Sequence, residues 1–137
     1  MYKRRGSILN SSLGRSGEYL TCFYLEQFDC KPTITRSDGF DIIAEYNQKI
    51  IRIEVKSCSQ SNIRRTDFQF STVRGGNRRL LTIEDCDIVA LVCIPFMHVE
   101  FIHISQVNKT RIRRKRSHFF SHGLEERTWI KSINRME

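Results

Sequence analysis

Residues 37 to 57, "SDGFDIIAEYNQKIIRIEVKS", alternate apolar with polar side chains on either side of Asn47-Gln48. A period of two is the mark of a half-buried strand, and a two-residue loop is the commonest hairpin connection. The pattern therefore predicts two antiparallel strands over about 39–46 and 49–57. If Tyr46 faces Lys49, counting back sets Asp41 opposite Glu54 and Gly39 opposite Lys56. Side chains two apart share a face. Asp41, Glu54 and Lys56 then project to one side, while Phe40, Ile42, Ala44, Tyr46, Ile51, Ile53 and Val55 form the core side.

The charged side has two readings. In one it is a solvated sheet face on which Lys56 and Arg52 offset a pair of carboxylates. In the other the pair holds a cation, because carboxylates directly across a strand pair, with Cβ atoms about 4.5–5.5 Å apart, repel one another unless a positive charge lies between them. Oxygen ligands of this kind suit Mg²⁺, with Mn²⁺ as a substitute. Gly39, having no side chain, leaves room for approach beside Lys56. Asp38 is an alternative ligand, but its place ahead of Gly39 marks it as a turn residue.

The rest of the chain is read around this hairpin. Ahead of it, residues 1–10 form a basic arm, Ser11 or Ser12 caps a helix, and Gly17, Leu20, Phe23, Tyr24 and Phe28 line its buried face at helical spacing as far as about Asp29. After it come a strand at "TDFQFST", a glycine-marked loop in "RGGNRRLLT", a strand covered on both faces at "DIVALVCI" and its hairpin partner at "HVEFIHI". Ser105 caps a helical turn, "KTRIRRKRS" is a basic run, and "LEERTWIKSINRM" has weak helical periodicity. The fold class is α/β: a central mixed sheet of four or five strands flanked by helices, in a single domain of 137 residues.

Lysine and arginine number 23 against 15 acidic residues, a formal charge of +8, so the expected partner is a polyanion, nucleic acid above all. Five cysteines without a C-x-x-C pair, and no run near the roughly 20 apolar residues of a membrane span, point to a soluble cytoplasmic protein with reduced thiols. There is no Walker A loop, dinucleotide fingerprint, G-x-S-x-G elbow or compact His-rich ββα unit, and His118 and His122 fall in a loop.

Asp41 followed by Glu54-Val55-Lys56, with "LGRSGEYL" upstream and "DIVALV" downstream, resembles the PD-(D/E)XK nuclease superfamily. The likeness covers about residues 12–104 and is strongest to the types represented by archaeal Holliday-junction resolvases and a cyanobacterial intron-encoded homing endonuclease. "GFD" stands where the superfamily's name has Pro-Asp. The resemblance implies a restriction-endonuclease-like core and Mg²⁺-dependent DNA hydrolysis. Asp41, Glu54, the Val55 carbonyl and the helix residue Glu18 would hold metal, and Lys56 would assist the attacking water. The substrate would be double-stranded or branched DNA, and one site per chain against two strands calls for at least a homodimer, or a homotetramer. A homing-type enzyme is favoured over a junction resolvase because residues 105–137 add a basic extension to the core; a nuclease-like DNA-binding module without catalysis is the reading outside enzymology. Phosphate contacts are expected from Arg64 and Arg65, from Arg74, Arg78 and Arg79, and from Arg111, Arg113, Arg114, Lys115 and Arg116. Gln69 is an exposed strand residue within reach of the metal site or of a base.

Overall fold

In the computed structural model, which describes residues 2–35, 39–59, 67–75 and 78–136 and the side chains from Ser12 onward, the chain reverses at Asn47 and Gln48. Their φ angles are both positive, 48° and 65°, as a type I′ turn requires, and this twist matches that of the strands it joins. Along the chain, α1 (Tyr2–Gln27) is followed by β1 (Lys31–Ile34) and the hairpin β2 (Ile42–Tyr46) and β3 (Lys49–Cys58). β4 (Asp67–Ser71) leads into a small hairpin, β5 (Val73–Arg74) and β6 (Arg79–Leu80). The second long hairpin, β7 (Ile88–Cys93) and β8 (His98–His103), precedes β9 (Arg111–Lys115) and α2 (Leu124–Asn134).

The central sheet has the order β1-β2-β3-β7-β8 and is mixed: β3 and β7 run parallel and the other pairs antiparallel. β7 is buried at every residue, as its unbroken apolar sequence predicts for a strand covered on both faces. On one face Ile42, Ala44, Ile51, Ile53, Ala90 and Phe101 pack with Leu25 of α1 and Trp129 of α2. On the other, Val89, Leu91, Cys93 and Ile102 pack with Phe68 and Phe70 of β4 and with Phe119.

Several expectations change at this level. Helix α1 begins at Tyr2, so residues 2–10 are helical and Ser11 and Ser12 lie within the helix rather than capping it. "TDFQFST" forms a strand outside the central sheet, because its partner is the basic run: Phe68 and Phe70 need an apolar floor, and β9 supplies the backbone partner through Gln69↔Arg113 and Phe70↔Ile112. The turn at Ile104–Gln106 is a short 3-10 turn capped by the His103 side chain, which accepts from the Ser105 amide. Phe40 joins the β4 side of the sheet instead of the helix side, because the regular alternation starts only at Ile42.

β8 is an edge strand, and α2 covers it. The outward amides of Val99 and Phe101 donate to Glu125 Oε2 (2.9 Å) and Thr128 Oγ1 (3.0 Å), which removes the unpaired donors that make an edge prone to association. Among the described residues no helix is long and apolar enough to cross a membrane.

Helix α1 lies on β3 where Gly17 meets Ser57. A Cβ built on Gly17 would stand 1.9 Å from Ser57 Oγ and 3.3 Å from Ser57 Cβ, so the helix can approach this closely only without a side chain there. Gly17→Ala gains about 1 kcal/mol of helix propensity but forces an overpacked contact that costs about 1–3 kcal/mol. We predict net destabilisation in urea denaturation, with a smaller loss when the substitution is made in a Ser57→Ala background. Equal losses in both backgrounds would show that the contact at Ser57 is not the cause.

Candidate active site

The ladder between β2 and β3 stops at Ile42↔Ile53, one residue short of the expected Asp41–Glu54 pair. Here the Asp41 amide donates to the Ile53 carbonyl at 3.0 Å, and the Asp41 carboxylate accepts the Val55 amide at 2.8 Å. The side chain thus takes the place of the strand carbonyl that would have continued the sheet. Its carboxyl also hydrogen-bonds that of Glu54, so the two groups meet although their backbones are out of register. A strand residue directs its N–H and C=O to the same edge; the Val55 carbonyl therefore faces the edge on which Asp41 stands.

Glu54 lies on the β4 side of β3, beside Val89 in the parallel register, and is 6 % exposed. Burial first, then the hydrogen bond and the charge of Asp41, push its pKa up to about 8, while Lys56 and Arg74 pull it back. Lys56, two residues on and therefore on the same face, donates from Nζ to the Val73 carbonyl at 3.2 Å. Arg74 enters from the β5–β6 hairpin. Its Nη1 is 3.5 Å from Glu54 Oε2 and 4.0 Å from Asp85 Oδ1, and its Nη2 donates to the Gly39 carbonyl. Asp85 in turn takes a two-pronged bond from Arg79 at 2.7 and 2.8 Å, which holds its carboxyl well below the usual carboxylate range.

The donors here are two carboxylates and, by the direction of the strand backbone, the Val55 carbonyl, all hard oxygen ligands. That fits Mg²⁺ or Mn²⁺, since Mg²⁺ is commonly bound through one or two carboxylates and keeps several waters. Among the described residues no three His, Cys, Asp or Glu side chains converge, so Glu18 is not gathered with Asp41 and Glu54. It follows Gly17 on α1, which packs against Val55 and Ser57, the face opposite Glu54, and its charge acts on Cys22 one turn further along. Arg74, expected only as a phosphate contact, is the residue at this site that sequence reasoning undervalued. The lone signal was its place after the strand that follows Lys56.

The basic residues divide into two sets. Arg74, Arg79 and Arg114 have internal carboxylate partners; Arg114 grips buried Glu100 through Nε (2.8 Å) and Nη2 (3.2 Å), with His118 Nε2 also 2.9 Å from Glu100. Arg114 is therefore a structural residue of β9, not a free cation. Arg78, Arg111, Arg113, Lys115 and Arg116 are exposed, Arg116 lying over the Phe96 ring at 5.3 Å. Arg64, Arg65 and Asp38 lie outside the described residues.

Comparison with known proteins gives one kind of match. No family model matches the chain, and no curated protein matches it in sequence. Among solved structures its fold is similar to that of a bacterial homing endonuclease, I-Ssp6803I, with a TM-score of 0.63. The identity is 12 %, and the match covers 89 % of this chain and 95 % of the other. At that identity the match establishes the α/β fold alone.

The raised Glu54 pKa gives stability a definite pH dependence. Without metal, the folded protein holds this proton to about pH 8, whereas an unfolded glutamate releases it near 4.5. The associated stability is complete below about pH 4.5 and is lost as pH rises through 8. We expect the urea midpoint of the metal-free protein to fall between pH 5 and 8.5, and Glu54→Gln to flatten that fall; parallel curves for the two proteins would place the effect elsewhere. For the second set of charges, Arg114→Ala leaves Glu100 buried with one partner fewer and should cost about 2–3 kcal/mol. Lys115→Ala, exposed, should change stability by less than about 0.5 kcal/mol in the same denaturation assay.

Proposed function

We propose that this protein is a metal-dependent DNA endonuclease, as the PD-(D/E)XK resemblance implies, and of the sequence-recognising, homing type, which the basic extension of residues 105–137 favours. The observation that carries the proposal is the contact of the Asp41 and Glu54 carboxyls at the point where β2 leaves β3, with Lys56 on the same face as Glu54. A buried Glu54 against a half-buried Asp41 is unfavourable for the fold without a cation. Paired carboxylates of this kind suit a divalent cation.

Mg²⁺ bound there supplies Lewis-acid polarisation of the scissile phosphate and a more acidic water. The chain's own residues do the remaining work. Asp41, fixed by the Val55 amide, presents a carboxylate whose position is set by the β3 backbone. Lys56 uses one N–H on the Val73 carbonyl and keeps further donors for the attacking water or for the negative charge that develops on the phosphate. Of the exposed members of the basic set, Arg78, Lys115 and Arg116 neutralise the duplex backbone. One chain offers one such site and a duplex has two strands, so cleavage of both strands calls for a homodimer or a higher even assembly.

The purified protein should cut linear duplex in Mg²⁺ or Mn²⁺. Asp41→Ala and Glu54→Ala should abolish cutting while leaving DNA affinity within a few fold. Lys56→Met should still bind DNA but lose about 10²- to 10³-fold in single-turnover rate, the size of one transition-state donor. Cleavage confined to four-way junctions would move the proposal to a resolvase; near-normal cutting by either carboxylate variant would end it.

A further inference from the structure

β4 and β9 form a two-stranded antiparallel ribbon whose two faces have different chemistry. The inner face carries Phe68, Phe70, Ile112 and Arg114, anchored on the central sheet by the aromatic cluster and by Glu100. The outer face carries Asp67, Gln69 and Ser71 of β4 and Arg111, Arg113 and Lys115 of β9, with Asp67 opposite Lys115 at the end of the ribbon. In the register Gln69 stands opposite Arg113 and Ser71 opposite Arg111. Arg111 Nη1 donates to Gln69 Oε1 at 3.3 Å, which orients the carboxamide across the ribbon.

From this arrangement we infer that the outer face of the β4–β9 ribbon enters the major groove and reads base edges, with Arg113, Gln69 and Arg111 as specificity-determining residues. The inference rests on the endonuclease reading above and names the element that would select its target. A two-stranded ribbon is one of the two elements that the major groove, about 12 Å wide, admits. Arginine is the side chain that pairs bidentately with guanine O6 and N7, and glutamine with adenine N6 and N7. Rows two residues apart are separated by about 6.8 Å, close to two base steps of about 3.4 Å, so the ribbon presents its side chains in step with every second pair. A surface meant only to hold phosphates needs point charges and gains nothing from a glutamine fixed beside two arginines.

The ribbon is also tied to the catalytic end. Ser71 is two residues from Val73, whose carbonyl receives Lys56, and the Thr72 amide bonds the Thr110 carbonyl next to Arg111. The Ser71–Arg111 row therefore lies nearest the cleavage site, and the base read by Arg111 lies closer to the cut than the base read by Arg113.

The test is selection of the full-length protein's binding sites from a randomised duplex pool, in buffer without divalent metal so that no strand is cut, together with binding measured across a salt series. Wild type should enrich a motif. Arg113→Ala and Gln69→Ala should each reduce discrimination about 10- to 100-fold at one or two neighbouring positions of it, with little change in salt slope. Lys115→Ala should leave the motif intact and lower the log-log salt slope by about 0.9. A motif unchanged in both Arg113→Ala and Gln69→Ala, with a reduced slope in Arg113→Ala, would overturn the inference and make the ribbon a phosphate contact. A wild-type protein that cuts duplex but enriches no motif would overturn it, together with the sequence-recognising type, while sparing the endonuclease activity. Failure of wild type to bind or cut any DNA would remove that proposal and the inference together.

Discussion

Two carboxyl groups in contact on a largely buried strand face are the constraint around which this molecule is arranged. Glu54 is desolvated by the β4 layer and faces Asp41, a combination that pushes its pKa up to about 8. Nothing in the hydrophobic packing asks for an acid there, since Val89 and Leu91 on the same side of the sheet are apolar and buried. The surrounding structure is built to tolerate the pair. The Val55 amide bonds Asp41, the β5–β6 hairpin brings Arg74 to Glu54, and Arg79 locks Asp85 behind Arg74. That this many interactions surround an unfavourable pair is the ground for proposing a ligand that makes the pair favourable.

The hairpin that carries this pair was the most legible part of the sequence. A strict period of two, broken only at Asn47-Gln48, leaves one register, and the observed Tyr46↔Lys49 pairing follows from it. The same logic identified β7, whose unbroken apolar run needs cover on both faces. Counting failed where the ladder itself ended: the Asp41 amide shifts to the Ile53 carbonyl, which turns Phe40 to the other side of the sheet, and no alternation pattern records such a shift.

The carboxyl-terminal part was illegible for a different reason. "RIRRK" has the alternation of a strand, but only Ile112 is apolar, and the other inward residue is Arg114, whose burial depends on Glu100 in β8. A side chain that faces inward by grace of a distant partner has no local signature. The consequence for function is large, because a basic run taken as one cluster divides into an outward set available to a ligand and an inward arginine that holds the layer together. Glu18 shows the reverse limit. Its role came from the resemblance, and the close contact of Gly17 with Ser57 sets this stretch of α1 on the face away from Glu54.

The central claim is that Asp41, Glu54 and the Val55 carbonyl form a divalent-cation site on the strand that carries Lys56. Crystals of the protein soaked in Mn²⁺ and measured at the manganese absorption edge test it most directly. The account predicts an anomalous peak with all three oxygens about 2.1 Å away. A well-ordered Glu54 still facing Asp41 and Arg74, with no peak beside it at saturating Mn²⁺, would contradict it.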